Sequence, residues 1–259
     1  MSLVAVITGA SSGIGAATAR RLAREPGGRL VLVARREERL RELAAELDAT
    51  YVAVDVTDAD APARIAAHVQ EHHGRLKLLV NNAGASWRAT FADGGYANVR
   101  QTMDVNFDSV VRLTVALLPL LRASAPSAIV NVASTAARVA RAGAGAYSAS
   151  KFALAGWSDA LRLEEQPHGV HVGLVLPGFI ATEGFPAEEL RAKRSTSWMV
   201  CDVDAAAEAI VDAGLRGRAE RYVPRPYALA AAARVLAPTL FRRAQSGSAG
   251  ALMTTRTNP

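Results

Sequence analysis

The stretch "LVAVITGASSGIG" (residues 3–15) joins an apolar run to a glycine-rich turn, and the helical pattern "GAATARRLARE" begins at its last residue. Gly9, Gly13 and Gly15 have the spacing G-x-x-x-G-x-G. Glycines between a strand and a helix permit a tight turn and let the backbone approach a pyrophosphate, while the helix N-terminus offers free N–H groups and a partial positive charge. The stretch therefore predicts a phosphate-binding turn at the start of an α/β fold.

Short apolar, β-branched runs alternate with longer helical patterns along the rest of the chain. This alternation predicts an α/β fold with a doubly wound parallel sheet of about seven strands, helices on both faces, and ligands outside the carboxyl ends of the strands. No break in composition marks a second domain, so we expect a single domain over residues 1–259. The predicted strands are "LVAVIT" (3–8), "RLVLVA" (29–34), "TYVAVD" (50–55), "LKLLVN" (76–81), "AIVNVA" (128–133), "VHVGLV" (170–175) and "RYVP" (221–224).

The overall composition limits the classes of function. The chain is 50% hydrophobic with a formal net charge of +6, but no aromatic-rich basic patch accompanies the charge, so we expect no nucleic-acid partner. The single cysteine, Cys201, excludes intrachain disulfides and suits a reducing cytoplasm. We expect no signal peptide and no membrane span, because the N-terminus lacks a basic region and the apolar segments are short. The histidine spacings predict no metal site.

The end of the second predicted strand indicates which nicotinamide cofactor would bind. An acidic residue there would bind the ribose 2′-hydroxyl of NAD. Ala34 stands at that position, and Arg35 and Arg36 follow it. Two guanidinium groups suit a 2′-phosphate, so the sequence favours NADP(H). The alternative is that both arginines are solvated residues beside Glu37 and Glu38.

A tyrosine and a lysine stand four residues apart in "YSASK" (147–151). On a helix these two positions share one face, so the phenol of Tyr147 and the ammonium of Lys151 can approach the same ligand. By itself this spacing is more typical of a surface tyrosine packed on a lysine stem.

Seven short motifs together resemble the short-chain dehydrogenase/reductase family, in order and in approximate spacing. The resemblance extends from about residue 3 to residue 182 and implies a Rossmann-like fold. The motifs are "TGASSGIG" (8–15), "DVT" (55–57), "NNAG" (81–84), Asn106, Ser134 in "NVAS", "YSASK" (147–151) and "PG" (177–178).

The resemblance implies a role for each matching residue. The catalytic tetrad would be Asn106, Ser134, Tyr147 and Lys151. Cofactor-binding residues would be Gly9, Ser11, Ser12, Gly13, Ile14, Gly15, Arg35, Arg36, Asp55, Val56, Asn82, Ala83, Gly84, Tyr147, Lys151, Pro177, Gly178, Ile180 and Thr182.

Hydride transfer to a ketone creates an alkoxide that needs a proton, and these residues suit that need. We expect Lys151 to lower the pKa of Tyr147, because a nearby ammonium favours the phenolate. Ser134 would bind the substrate carbonyl and stabilise its developing charge. Asn106 would interrupt its helix and hold a water that extends the proton path from Lys151.

The sequence thus predicts an NADP(H)-dependent oxidoreductase acting on a small to medium apolar carbonyl or alcohol. The alternative is a catalytically silent NADP(H)-binding regulatory or scaffold protein of the same fold. We expect residues 1–182 to form the cofactor-binding and catalytic core and residues 179–201 to form a substrate loop. Apolar walls would come from Trp87, Phe179, Phe185, Trp198 and Met199. Arg138, Arg141, Lys193 and Arg194 could attract an anionic substrate, but we expect them to be solvated.

The resemblance also implies a homodimer or homotetramer, assembled through the two long helices that contain Asn106 and Tyr147. Residues 226–259 are predicted to form a C-terminal helix and tail, with the helix broken near Pro238. This helix could cover the substrate cleft, bury an oligomer face or touch a membrane, and we favour packing in the core or in an oligomer.

Overall fold

The structure of the protein is a computed structural model that describes residues 3–183, 190, 192 and 197–246. Nine strands lie within these residues: β1 (Val4–Thr8), β2 (Arg29–Ala34), β3 (Thr50–Ala53), β4 (Leu78–Asn81), β5 (Ser127–Val132), β6 (Val170–Pro177), β7 (Phe179–Ile180), β8 (Val200–Cys201) and β9 (Glu220–Val223). Seven of them form one parallel sheet in the order β3-β2-β1-β4-β5-β6-β9, which confirms the predicted sheet. The sequence pattern does not predict the second, two-stranded sheet of β7 and β8.

Helices follow most strands and cover both faces of the sheet. They are α1 (Gly13–Leu22), α2 (Glu37–Leu47), α3 (Ala61–His73), α4 (Phe91–Met103), α5 (Ser109–Ala123), α6 (Gly145–Glu165), α7 (Val203–Gly214), α8 (Tyr227–Leu236) and α9 (Pro238–Ser246). A π-helical turn over Asp104–Asp108 joins α4 to α5. The long helix predicted from about residue 98 to 121 is therefore interrupted where Asn106 stands.

Alternate side chains of the central strand β1 enter two different cores. Ile7 packs in a cluster that includes Leu22 of α1, whereas Val6 packs in a cluster that includes Ile65 of α3 and Leu117 of α5. All five positions of β1 are buried. Successive side chains of a strand point to opposite faces, so a continuous apolar strand needs a helical layer on each side. This requirement explains the three-layer architecture.

The connections between strands place a crevice at the centre of the sheet. β1 lies between β2 and β4, and the chain leaves β1 toward β2 but leaves β4 toward β5. The two connections diverge at the carboxyl ends of β1 and β4, which is where ligands bind in open parallel sheets. The glycine-rich turn follows β1 and the "NNAG" motif begins at the end of β4, so both border this crevice.

A buried chain of amides crosses the middle of the sheet. Asn81 of β4 donates from Nδ2 to Oδ1 of Asn131 on β5 at 2.9 Å and to Oγ1 of Thr114 at 3.2 Å. Asn131 in turn donates from Nδ2 to Oγ of Ser158 on α6 at 2.8 Å. Buried polar groups are costly unless they are hydrogen-bonded, so these bonds fix α5 and α6 against the sheet. The first asparagine of "NNAG" thus has a structural role.

The C-terminal part of the described chain forms α8 and α9, with the break at Pro238 that the sequence predicts. Tyr227 at the start of α8 is buried, whereas Leu229, Leu236 and Leu240 are exposed. The described helices include none whose length and apolar character would let it cross a bilayer.

Candidate active site

The glycine-rich turn after β1 has conformations that a side chain would disturb. Gly9 and Gly13 have φ angles of +67° and +53°, in the left-handed region that favours glycine. A Cβ at Gly15 would overlap the carbonyl oxygen of Gly9, and a Cβ at Gly9 would lie 2.9 Å from Nδ2 of Asn82. The turn is therefore packed backbone against backbone, which brings the start of α1 to the crevice.

Thr8, the last residue of β1, fastens this turn to the neighbouring strand. Its hydroxyl accepts hydrogen bonds from the backbone N–H groups of Asn82 at 2.9 Å and Ala83 at 3.0 Å. The side chain of Asn82 returns a bond from Nδ2 to the carbonyl oxygen of Thr8 at 2.9 Å. The sequence analysis does not single out Thr8. Its position as a polar residue ending a buried strand is the available signal.

A cleft of about 650 Å³ lies over this junction, and most of the predicted cofactor residues line it. Its lining includes Gly9, Ser11, Ser12, Gly13, Ile14, Arg35, Arg36, Asp55, Val56, Asn82, Ala83, Gly84 and Thr182. Six further predicted cofactor residues are not part of this lining: Gly15, Tyr147, Lys151, Pro177, Gly178 and Ile180. Gly15 lies beneath Gly9, and Lys151 approaches the cleft behind Gly84.

The two arginines after β2 occupy different parts of one end of the cleft. Arg36 donates to the hydroxyls of Ser11 at 3.1 Å and Ser12 at 2.5 Å, so it lies against the glycine-rich turn. Arg35 is largely exposed and reaches Oδ2 of Asp55 at 3.4 Å. Glu183 pairs with Arg39 at 2.8 Å and lies 3.9 Å from Arg36. This end of the cleft therefore presents guanidinium groups and hydroxyls.

Asp55, which follows β3, remains ionised. Burial would raise the pKa of its carboxyl, but hydrogen bonds from the backbone N–H and the hydroxyl of Thr57, together with Arg35, lower the pKa below its usual value. The two bonds from Thr57 measure 3.0 Å and 2.8 Å. This local turn holds a negative charge in the lining of the cleft, at a residue predicted to bind the cofactor.

Asn106, in the π-helical turn, ties together the elements around the catalytic residues. Its Nδ2 donates to the carbonyl of Ala85 at 2.9 Å and to the hydroxyl of Ser150 at 3.0 Å, and its Oδ1 accepts from the backbone N–H of Ala85 at 2.9 Å. The side chain is fully buried. Asn106 therefore joins the segment after β4 to α6, one residue before Lys151. Its predicted role of holding a water stays a prediction.

Lys151 carries its ammonium into the interior beside the cleft. The residue is 3% exposed, and its Nζ donates to the carbonyl of Val132 at the end of β5 at 2.9 Å. Burial lowers the pKa of Lys151 from 10.5 to about 8. A Cβ at Gly84 would lie 3.4 Å from Nζ and 3.1 Å from Oδ1 of Asn106. The glycine that ends "NNAG" thus leaves room for both polar groups.

Tyr147 and Ser134 interact one helical turn away from Lys151. Burial raises the pKa of the Tyr147 phenol, while the hydroxyl of Ser134 and the charge of Arg141 act to lower it. Ser134 itself donates to the carbonyl of Pro177 at 3.3 Å and accepts from the backbone N–H of Ala136 at 3.1 Å. The phenol is therefore protonated at neutral pH and held next to a second hydroxyl.

This result differs from the expectation that Lys151 lowers the pKa of Tyr147. The ammonium is directed at the Val132 carbonyl and lies 5.8 Å from the centroid of the Tyr147 ring. At that separation burial of the phenol dominates.

The segment after β6 connects the catalytic residues to the C-terminal helix. A Cβ at Gly178 would overlap the ring of Tyr227, so glycine allows α8 to close against the end of β6. Burial raises the pKa of Tyr227 to about 12. Ile180 is buried, and Cγ2 of Thr182 would lie 3.2 Å from a Cβ at Gly13, next to the glycine-rich turn. The segment from Pro177 to Thr182 therefore bridges the predicted catalytic residues and the glycine-rich turn.

The structure describes four of the five residues that are predicted to form apolar walls, and that role stays a prediction. Trp198 lies 5.7 Å from Tyr227 between ring centroids, and Met199 is buried. The Phe179 ring lies under Arg141, 4.5 Å from the guanidinium carbon to the ring centroid. Trp87 lines the cleft. Phe185, Lys193 and Arg194 lie outside the described residues.

Arg138 and Arg141, which the sequence predicts to be solvated, are both only partly exposed. Arg138 pairs with Glu220 at 2.8 Å and approaches Asp159 at 4.0 Å. Arg141 lies close enough to Tyr147 to act on its pKa, and its Nε is buried without a hydrogen-bond partner. Sequence position alone could not show this, because both arginines stand in a loop of small residues.

The histidines of α3 interact mainly with one another. His68 and His72 stack with ring centroids 4.0 Å apart, and burial lowers the pKa of His68. Over the described part of the chain, no group of three or more His, Cys, Asp or Glu side chains could hold a metal ion.

Comparison with known proteins identifies the family. The family model for short chain dehydrogenases matches residues 3–210. The chain therefore belongs to the short-chain dehydrogenase/reductase family, as the motifs imply.

Individual relatives agree with this assignment. The chain is 36% identical over 190 residues to Dehydrogenase/reductase SDR family member 7B of Xenopus laevis, which covers 69% of this chain and 58% of that protein. It is 40% identical over 189 residues to Sulfoacetaldehyde reductase 2 of Chromohalobacter salexigens, covering 71% and 75% respectively. The chain spans about 60% of the length of the first curated relatives it matches.

A solved structure shows that the likeness extends over the whole fold. A short-chain dehydrogenase from Burkholderia cenocepacia J2315, solved in complex with NADP, superposes with a TM-score of 0.80 at 28% identity. The match covers 95% of this chain and 98% of that one.

The buried ammonium of Lys151 generates a prediction about stability and pH. Its pKa is about 8 in the folded protein and 10.5 ordinarily, so burial of the charge costs stability below pH 8, and the cost fades as the pH rises from about 8 to 10.5. The variant Lys151→Met has no titrating group at this position, so its free energy of unfolding serves as the reference. The difference in this free energy, variant minus wild type, should fall by about 3 kcal/mol over that range. Urea unfolding of both proteins at a series of pH values measures this difference. A difference independent of pH would contradict the burial of a titrating ammonium.

Proposed function

We propose that the protein is an NADP(H)-dependent oxidoreductase that reduces a carbonyl compound or oxidises the corresponding alcohol. The observation that carries this proposal is that Lys151, with Tyr147 and Ser134 beside it, lies behind Gly84, which lines the same cleft as Arg35 and Arg36. Hydride transfer from a phosphorylated dinucleotide requires a proton donor next to a cleft that can bind phosphate.

The residues of the cleft fit such a cofactor. The glycine turn leaves no Cβ between its backbone and the space above it, and the N-terminus of α1 suits a pyrophosphate. Arg36 and the hydroxyls of Ser11 and Ser12 form a donor group that suits a 2′-phosphate, with Arg35 beside them. Ala34 provides no carboxylate for a ribose 2′-hydroxyl. The solved relative bound to NADP supports the same choice.

The catalytic side chains each have a distinct task in the proposed reaction. When bound, NADPH supplies the hydride that the carbonyl carbon receives. Ser134 donates a hydrogen bond to the carbonyl oxygen, and Tyr147 delivers its phenolic proton to that oxygen as negative charge develops there. Lys151 keeps a positive charge near the phenolate that results, at pH values below about 8. Asn106 holds α6 and the segment after β4 in place.

The raised pKa of Tyr147 bears on its role when a carbonyl is reduced. A phenol that stays protonated at neutral pH can donate its proton to the carbonyl oxygen. A relative is named as a sulfoacetaldehyde reductase, which supports a reductive reaction.

The substrate would lie beyond Tyr147, between the Trp87 segment and the residues after β6. Phe179, Trp198 and Tyr227 supply aromatic surface there, which supports a small to medium substrate with an apolar body. The position of Tyr227 also supports a role for α8 in closing this space.

We also propose a homodimer or homotetramer in the cytoplasm. Val115 of α5 and Leu163 of α6 are 65% and 72% exposed, so the two long helices have apolar surface for a second copy. The single cysteine, Cys201, supports a reducing compartment.

Substitution of Tyr147 tests the catalytic proposal. Tyr147→Phe removes the proton donor and should lower kcat by about 100-fold or more, with little change in NADPH affinity. The matched control is Tyr96→Phe, because Tyr96 is 73% exposed and contributes no proton to the site. Loss of NADPH absorbance over a panel of aldehydes and ketones measures the rates.

Two outcomes would overturn this proposal in different ways. A Tyr147→Phe variant that turns over as fast as wild type would exclude the proposed mechanism. Tight NADPH binding by wild type with no turnover of any carbonyl would favour the catalytically silent alternative.

Substitution of the two arginines tests the choice of cofactor. Arg35→Ala/Arg36→Ala should weaken NADPH binding by about tenfold or more but NADH binding by less than about threefold, since only NADPH carries the 2′-phosphate. Arg24→Ala is a control for loss of exposed positive charge, because Arg24 lies exposed beyond the end of α1. Isothermal titration calorimetry measures both affinities. Equal loss for the two cofactors would argue against NADP(H) preference.

A further inference from the structure

Arg141 is a guanidinium that has no counter-charge among the residues that the structure describes. Its Nη2 reaches the hydroxyl of Thr135 at 3.4 Å, its Nε is buried with no hydrogen-bond partner, and its guanidinium stacks over Phe179. No described carboxylate acts on it, whereas Arg138, three residues earlier, has Glu220 at 2.8 Å. Burial of a charged group without a partner is costly, so this arrangement needs an explanation beyond packing.

The surroundings of Arg141 place it at the substrate end of the site. Its charge acts on the phenols of both Tyr147 and Tyr227, and it covers the ring of Phe179 directly after Gly178. Burial lowers the pKa of Arg141, but a guanidinium stays charged at any physiological pH. A fixed positive charge therefore lies near the proton donor on the side where the substrate would bind.

A second arginine lies on the facing loop. Ala89 and Ala144 form an isolated parallel β-bridge, which joins the segment after β4 to the loop that carries Arg141. Arg88, next to Ala89, is exposed, forms no ion pair with a described residue, and lies near enough to lower the pKa of Arg141. Two cations on adjoining loops repel each other, and an anion between them would remove that repulsion.

We propose that Arg141, assisted by Arg88, binds an anionic group of the substrate, such as a carboxylate, sulfonate or phosphate, attached a few atoms from the reacting carbonyl. This inference rests on the proposed function and refines its substrate class: the substrate has an apolar body and one acidic end. An arginine presents a planar fork of donors that matches such oxyanions, and Nε is the free donor of that fork here.

Charged and uncharged versions of the same ketone test the proposal. The probes are 2-oxopentanoate, 4-oxopentanoate and the methyl ester of each, which vary the spacing between carbonyl and charge. Wild type should show kcat/KM at least about tenfold higher for one of the acids than for its ester. Arg141→Met should abolish that preference by lowering turnover of the acid at least about tenfold more than turnover of the ester. Arg141→Lys should keep part of the preference for the acid over its ester. Arg88→Met should lose less of that preference than Arg141→Met does.

A binding measurement separates this inference from the proposed function. The tryptophan fluorescence of the protein without nucleotide is titrated with 4-oxopentanoate and its ester. Tighter binding of the acid to wild type but not to Arg141→Met supports the anion site even if no ketone is reduced, in which case the proposed function fails alone. Turnover without preference for an acid over its ester leaves the proposed function standing and overturns the anion site. Equal loss of acid and ester turnover in Arg141→Met would also overturn it, because Arg141 would then only support Phe179.

Discussion

The hydroxyl of Thr8 joins the ends of the two strands between which the cleft opens. It accepts hydrogen bonds from the backbone N–H groups of Asn82 and Ala83, and it donates to the carbonyl of Val80 at 3.3 Å. Because the chain leaves β1 and β4 in opposite directions, no regular strand pairing continues past this point. The hydroxyl replaces that pairing, and the glycine-rich turn and the "NNAG" segment both take their positions from it.

From this junction the positions of the catalytic groups follow in sequence. "NNAG" ends at Gly84, whose lack of a Cβ admits the ammonium of Lys151 and the amide of Asn106. Asn106 then holds Ser150, and so fixes the helix that carries Tyr147 and Lys151. The resulting site concentrates positive charge around a neutral phenol, since Lys151 lies 5.8 Å from the centroid of the Tyr147 ring and the charge of Arg141 acts on its phenol. Such an environment stabilises negative charge, whether it develops on a carbonyl oxygen or arrives with a substrate.

The sequence predicts the sheet and the cofactor cleft well because both depend on local patterns. Buried strands are continuous apolar runs, and the conformation of the turn at Gly9 and Gly13 requires glycine. Each of these features therefore has a recognisable pattern in the amino-acid sequence. The pKa of Tyr147 could not be predicted in the same way, because it depends on burial and on the direction in which Lys151 points. Their spacing on a helix predicts that Tyr147 and Lys151 are close together, but it predicts neither the burial of the phenol nor the direction of the ammonium.

Two other features of the site could not be predicted from the sequence, because they depend on contacts between distant parts of the chain. Thr8 and the buried amide chain from Asn81 to Ser158 look like ordinary residues of strands and helices, and their partners lie far away in the chain. Arg141 stands in a loop of small residues whose sequence gives no sign of burial. Only the fold shows that Arg138 pairs with an acidic residue, whereas Arg141 has no acidic partner within the described part of the chain.

The proposed function requires that a hydride passes directly from the cofactor to a carbonyl carbon. This transfer can be followed with NADPH carrying deuterium at both positions of nicotinamide C4, with wild-type protein and the ketone or aldehyde that it reduces fastest. Mass spectrometry and NMR of the alcohol product then locate the label. We expect one deuterium on the carbinol carbon and a hydroxyl hydrogen that comes from water. A product whose carbinol carbon carries only hydrogen would contradict direct hydride transfer.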